Sequence, residues 1–149
     1  MPRRQFLLEV IAALLILLFL YAGLSKFLDF KTFRKEMNNQ PLPNSWTTFL
    51  VWFLPCAEIL LSATLIFEHT RLFGFYGALA LMGIFTLYTL LILFHVFSYI
   101  PCSCGGIIKQ LTWPQHLVFN LFFTGASFVG IYTQRRNVSS GKTSPKNKK

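Results

Sequence analysis

The chain has 149 residues, 54% of them hydrophobic, 17% aromatic and 13% charged, with a formal net charge of +9. Soluble domains carry about 25% charged residues, so most of this chain is dissolved in something other than water. The Lys and Arg side chains sit at the two termini and in short connections, which reads as membrane topology and argues against a nucleic-acid surface.

The chain has 17 Phe and hardly any period-2 alternation, which argues for helices over a membrane β-barrel. The expected fold is all-α, a polytopic bundle of four transmembrane helices. Arg3 and Arg4 precede an apolar run over residues 6–28, long enough to cross a hydrocarbon core of about 30 Å. It exceeds the about 7–15 residues of a signal-peptide core, and three more apolar runs follow. Residues 29–46 form a polar connection in which Phe30, Phe33 and Met37 share a helical face, predicting a short amphipathic helix on the membrane surface. The second span is expected over 47–67, kinked at Pro55, and the third over 72–98. The fourth is expected over 115–133, with Thr112 as its N-cap and Pro114 in its first turn.

Residues 1–133 are thus one transmembrane domain, and 134–149 are expected to be a disordered basic tail in the cytoplasm. With both termini inside, nine cations lie inside (Arg3, Arg4, Arg71 and six in the tail) and five outside (Lys26, Lys31, Arg34, Lys35, Lys109). The positive-inside rule then places both termini in the cytoplasm and the loop over 99–114 outside. Disulfides persist in that outer compartment.

The loop holds Pro101-Cys102-Ser103-Cys104-Gly105-Gly106. A disulfide between Cys102 and Cys104 closes a very small ring, a poor staple but a bond suited to exchange. Two reduced thiols, or metal ligands, are the alternatives. Cys56, in the second span, reads first as core filler. Glu58 is the clearest polar anomaly: an ionised carboxylate near mid-bilayer costs about 2.5–3.5 kcal/mol, so it needs a partner, a proton or the bundle interior. It reads equally as a proton carrier or as a carboxyl hydrogen-bonded to a neighbouring helix. His95 and His116 flank the cysteine loop, where an imidazole can lower a thiol pKa or pass protons. Cys102, Cys104, His95 and His116 also make a possible metal set, although C-x-C is not the usual zinc spacing. Lys26 reads most simply as snorkelling to the headgroups. Tyr21 and Ser25 share a face and are candidates to point inward. Trp46, Trp52 and Trp113 fit an interfacial aromatic belt, and the Phe-rich faces fit lipid contact.

Tyr21-Ala22-Gly23-Leu24-Ser25-Lys26 through Asp29, then Pro55 with Glu58, then Cys102-Ser103-Cys104-Gly105-Gly106, together resemble the methylamine-utilisation protein MauE family, which groups with DoxX-like four-helix membrane proteins. The resemblance covers about residues 6–132. It implies a bacterial inner-membrane protein of redox maturation, helping a disulfide-rich extracytoplasmic client to mature. It carries Cys102 and Cys104 onto the family's C-x-C, and Ser25, Lys26, Asp29 and Glu58 onto its polar span positions. The chain departs from that pattern in having Gly105-Gly106 where the family has Phe-Gly after the second cysteine. Leu111-Thr112-Trp113 with His116 and Asn120 looks like a subgroup feature. The reading of the residues themselves is a thiol–disulfide oxidoreductase in which Cys102 and Cys104 exchange, Glu58 and His116 are candidates to take protons, and a membrane acceptor such as quinone is a candidate for the electrons. Its expected partners are the lipid bilayer, a cysteine-bearing client and further membrane subunits. The competing readings are a Cys/His module for metal or haem delivery and a non-catalytic accessory subunit of a membrane complex.

Overall fold

The computed structural model describes residues 3–97 and 111–142, with side chains through residue 139. Cys102, Cys104, Lys109 and the chain beyond Lys142 lie outside the described residues. Five helices follow one another: α1 (Arg3–Leu28), α2 (Phe30–Asn38), α3 (Asn44–Ile66), α4 (Arg71–Leu93) and α5 (Trp113–Lys142). Among the described residues there is no strand. All of α1, α3 and α4, and Trp113–Ser139 of α5, are long and apolar enough to cross a membrane.

The four long helices close a ring, α1 on α3, α3 on α4, α4 on α5 and α5 back on α1. They alternate in direction, so α1 starts and α5 ends at one end of the bundle. α2, the start of α3 and the start of α5 share the other end. The core runs along Leu8, Ile11, Leu15 and Phe19 of α1, spaced three and four residues apart as a helical stripe requires. It meets Val51, Leu54 and Leu65 of α3, Phe75, Ala78 and Met82 of α4, and Phe123 and Ile131 of α5.

In lipid, apolar burial does not by itself favour helix on helix, so close packing and polar contacts carry the association. Small residues supply the closeness. A Cβ on Gly23 would stand 2.8 Å from Ile59 Cγ1 and 3.2 Å from the Pro55 carbonyl oxygen, so α1 and α3 touch there almost backbone to backbone. A Cβ on Gly130 would stand only 2.5 Å from Cε1 and 2.7 Å from Cδ1 of Phe75, which is why that ring can be fully buried between α4 and α5.

The helix ends obey identifiable local rules. α2 forms where its apolar stripe predicts, with Phe33 and Met37 buried. α3 begins at Asn44, three residues before the expected start, because Pro43 presets an extended entry and its carbonyl accepts from Trp46 and Thr47. The helix runs through Pro55. α4 stops at Leu93, short of the expected 98. Phe94 is its C-cap and His95 turns left-handed at φ 53°. The His95 amide donates to Ile92 and the Val96 amide to Leu91, a Schellman closure with histidine in the position glycine usually takes. α5 begins at Trp113. Gln115 Oε1 accepts from the Thr112 amide at 2.9 Å, the back-reaching half of a capping box. It then continues to Lys142, so residues 134–142, expected to belong to a disordered tail, extend the helix instead.

Candidate functional site

Glu58 lies 14 residues into α3 and is 2% exposed. Its partner is Lys26. The ammonium Nζ donates to Glu58 Oε1 at 2.7 Å and Oε2 at 2.9 Å, and to the Ala22 carbonyl at 3.3 Å. All three N–H donors of the lysine are therefore accounted for. This corrects the snorkelling expectation for Lys26: the side chain is 9% exposed and folds back one turn toward the start of α1, as side chains on a helix lean. Phe33 of α2 closes the site, its ring centroid 5.8 Å from Nζ, a cation–π distance.

The sequence places this pair through four local features. Gly23 lets α3 approach α1 so closely that the Glu58 Cβ stands 3.4 Å from where a Gly23 Cβ would be. Pro55 brings no amide hydrogen, so the carbonyl one turn earlier has no helical donor. Ser62, one turn beyond Glu58, donates to the Glu58 carbonyl at 3.1 Å and lies 3.4 Å from the Ile16 carbonyl of α1. Ser25 donates to the same Ala22 carbonyl as Lys26, at 3.0 Å. The result is a polar site enclosed by α1, α2 and α3.

A second polar seam joins α4 to α5. Asn120 Nδ2 donates to Thr89 Oγ1 at 3.2 Å, and the Thr86 and Thr124 hydroxyls meet at 3.2 Å. Thr86, Thr89, Thr124 and Ser127 each also return a hydrogen bond to the carbonyl four residues earlier, which satisfies hydroxyls that have no water at that depth. The seam went unread in the sequence apart from Asn120. Its signal was a row of small polar residues, Asn120, Thr124 and Ser127, at i, i+4 and i+7.

At the α2 end, Tyr88 donates its hydroxyl hydrogen to Gln40 Oε1, and its ring packs against Phe97 at 5.9 Å. Gln40 is buried just past the end of α2, inside the connection that the sequence showed only as polar.

The residues singled out in the sequence separate into three groups. Lys26, Glu58 and Ser25 come together. His95, exposed at the terminator of α4, and His116, in the first turn of α5 with its ring 5.8 Å from that of Trp113, border the undescribed segment from either side. Glu58 belongs to a different seam, where Lys26 holds it. Cys102 and Cys104 lie outside the described residues. Two further expectations are corrected. Cys56 is exposed on the outer face of α3, because the inner stripe is taken by Val51, Leu54, Pro55 and Glu58. Tyr21 is exposed, since Gly23 and Lys26 occupy the inner face of α1. Trp46 and Trp52 are exposed, as an interfacial belt requires, while Phe19 and Phe75 show that the phenylalanines serve the core as well as the lipid face.

No curated protein and no solved structure matches this chain. The family described as Methylamine utilisation protein MauE matches residues 4–133, which runs from α1 into α5 and takes in the segment between α4 and α5. This multi-pass membrane protein therefore belongs to the MauE family.

Proposed function

We propose that the chain serves methylamine utilisation as an inner-membrane thiol–disulfide exchanger. Its termini would be cytoplasmic and the Cys102–Cys104 pair outside. One observation carries the reading: the family match, over residues 4–133, takes in the segment that contains the C-x-C pair. The charge count and the redox compartment support the orientation.

A client thiolate attacks one sulfur of the Cys102–Cys104 disulfide, giving a mixed disulfide and one free thiolate on the bundle. The client's second thiolate then attacks the mixed disulfide, leaving the client oxidised and both bundle cysteines reduced. Two electrons and two protons have moved. A membrane quinone taking both, and leaving as quinol, would restore the disulfide. His116 is the nearer candidate for the protons, because it stands in the first turn of α5 beside the segment. Glu58 would contribute only on releasing Lys26.

The test is the thiol state in intact cells. A membrane-impermeant alkylating reagent is applied with and without a reductant pulse, and the mass shift is read on the whole chain. Labelling of Cys102 and Cys104 only after reduction supports the reading, and Cys104→Ser should then trap a client. Thiols that label freely, or never, overturn it. A second reading takes Cys102, Cys104, His95 and His116 as ligands for a soft metal or for haem delivery, favoured by both histidines bordering the segment. Stoichiometric metal on the purified protein, lost in Cys102→Ser, would establish it. Full activity with both cysteines replaced by serine would leave only an accessory-subunit role.

A further inference from the structure

The charge of the described residues is polarised along the bundle. At the end where α1 starts and α5 ends, Arg3, Arg4, Arg71, Arg135 and Arg136 stand with two carboxylates, Glu9 and Glu68. At the other end Lys26, Lys31, Arg34 and Lys35 stand with three, Asp29, Glu36 and Glu58. Among the described residues the net positive charge therefore lies mostly at one end.

The arginines there are mostly without carboxylates. Arg71 is buried, bonded through Nη1 to Glu9 at 2.6 Å and through Nε to the Leu65 carbonyl at 3.1 Å. Arg3, Arg4, Arg135 and Arg136 have no carboxylate partner among the described residues, and all four are exposed. Two are held in place by tyrosines. Arg135 lies over the Tyr76 ring of α4 at 5.7 Å. Arg136 lies over the Tyr132 ring at 5.5 Å and donates to its hydroxyl at 3.0 Å. Arg3 and Arg4 open α1 with no acidic residue in its first turn, so two cations sit at the positive end of a helix dipole. α5 packs antiparallel on both α1 and α4, which gathers these four guanidinium groups at the same end.

We infer that this end is a binding collar for anionic phospholipid headgroups. A phosphodiester offers what the four arginines lack, a negative charge with several acceptor oxygens. The ring faces of Tyr76 and Tyr132 belong at headgroup depth, where a tyrosine keeps its ring in the apolar region and its hydroxyl in the polar one. A zwitterionic lipid offers the same phosphate but no net charge, so the preference is electrostatic. About fivefold per cation near the surface is the scale to expect. The inference is independent of the cysteine pair.

The test uses the full chain, reconstituted in an equimolar mixture of phosphatidylglycerol and phosphatidylcholine and released for native mass spectrometry. The expected result is retained phosphatidylglycerol in excess of phosphatidylcholine, by about fivefold or more at an ionic strength of about 0.01 M and falling toward parity at about 1 M, where the Debye length shrinks to about 3 Å. Arg135→Gln with Arg136→Gln should remove most of the excess. Lys31→Gln with Arg34→Gln, on α2 at the opposite end, should leave it intact. Equal retention of the two lipids by the unmodified chain overturns the inference, and that comparison needs no variant to fold. An excess lost with the α2 variant and kept with the α5 variant overturns it too, as does displacement of the lipid by excess inorganic phosphate.

Discussion

Lys26 and Glu58, 32 residues apart in the chain, meet at 2.7 Å in the interior of a membrane bundle. Each makes the other tolerable there. A charge left alone at that depth loses its counter-ion and gains no water. Lys26→Met and Glu58→Gln should each destabilise the bundle by about 3–5 kcal/mol, and Lys26→Met combined with Glu58→Leu should recover most of the loss. Reversible unfolding in mixed detergent micelles measures all three. If the double variant is as damaged as the singles, the pair is not the origin of the loss.

His95 occupies a left-handed backbone position that costs a non-glycine residue about 1–2 kcal/mol. His95→Gly should therefore hold α4's terminator and raise stability by up to about 1 kcal/mol, the gain being trimmed by glycine's freedom in the unfolded chain. The same variant separates structure from chemistry. A more stable protein that no longer exchanges thiols, or no longer holds metal, would assign the imidazole a chemical role.

Asn120→Ala should cost about 0.6 kcal/mol and at most about 2, the range of interhelical hydrogen bonds in lipid. In a double-mutant cycle with Thr89→Val the two losses should be less than additive, since both remove the bond from Nδ2 to Oγ1. Strict additivity would mean that the contact contributes nothing.

Gly23→Val should be more damaging than any exposed apolar substitution on α1. Its new carbons would meet Ile59 and the Pro55 carbonyl, and overpacking of this kind costs about 1–3 kcal/mol. Leu17→Val, on an exposed position of the same helix, is the control and should stay within about 0.5 kcal/mol.

The four spans and the amphipathic α2 were legible because their signals are long or periodic. The interior pairing was half legible. Glu58 announced its need for a partner, but nothing in the linear order says that Lys26, near the end of α1, turns down rather than up. That direction follows from Cβ geometry and from the Ala22 carbonyl and Phe33 waiting there. Cys56 was misread because cysteine suits a core and a lipid face equally, and only the stripe of neighbouring α3 residues decides between them. The early end of α4 was hidden by apolar residues that continue past Leu93, since a left-handed histidine leaves no compositional trace. The α4–α5 seam was missed because single threonines in a span carry little signal until they are read at helical spacing.

The two polar seams lie within neighbours in the chain, α1 with α3 and α4 with α5, and the turn over 67–70 separates them. Across that turn the packing is mostly apolar, with polar exceptions at the two ends of the bundle, Arg71 bonded to Glu9 and to the Leu65 carbonyl at one and Tyr88 bonded to Gln40 at the other. The molecule is thus built as two hairpins, each carrying its own internal adhesive. Such a chain can insert in order, each hairpin locking as its second helix enters the bilayer. Cut between Phe67 and Thr70 and expressed as two pieces, it should still find its own other half.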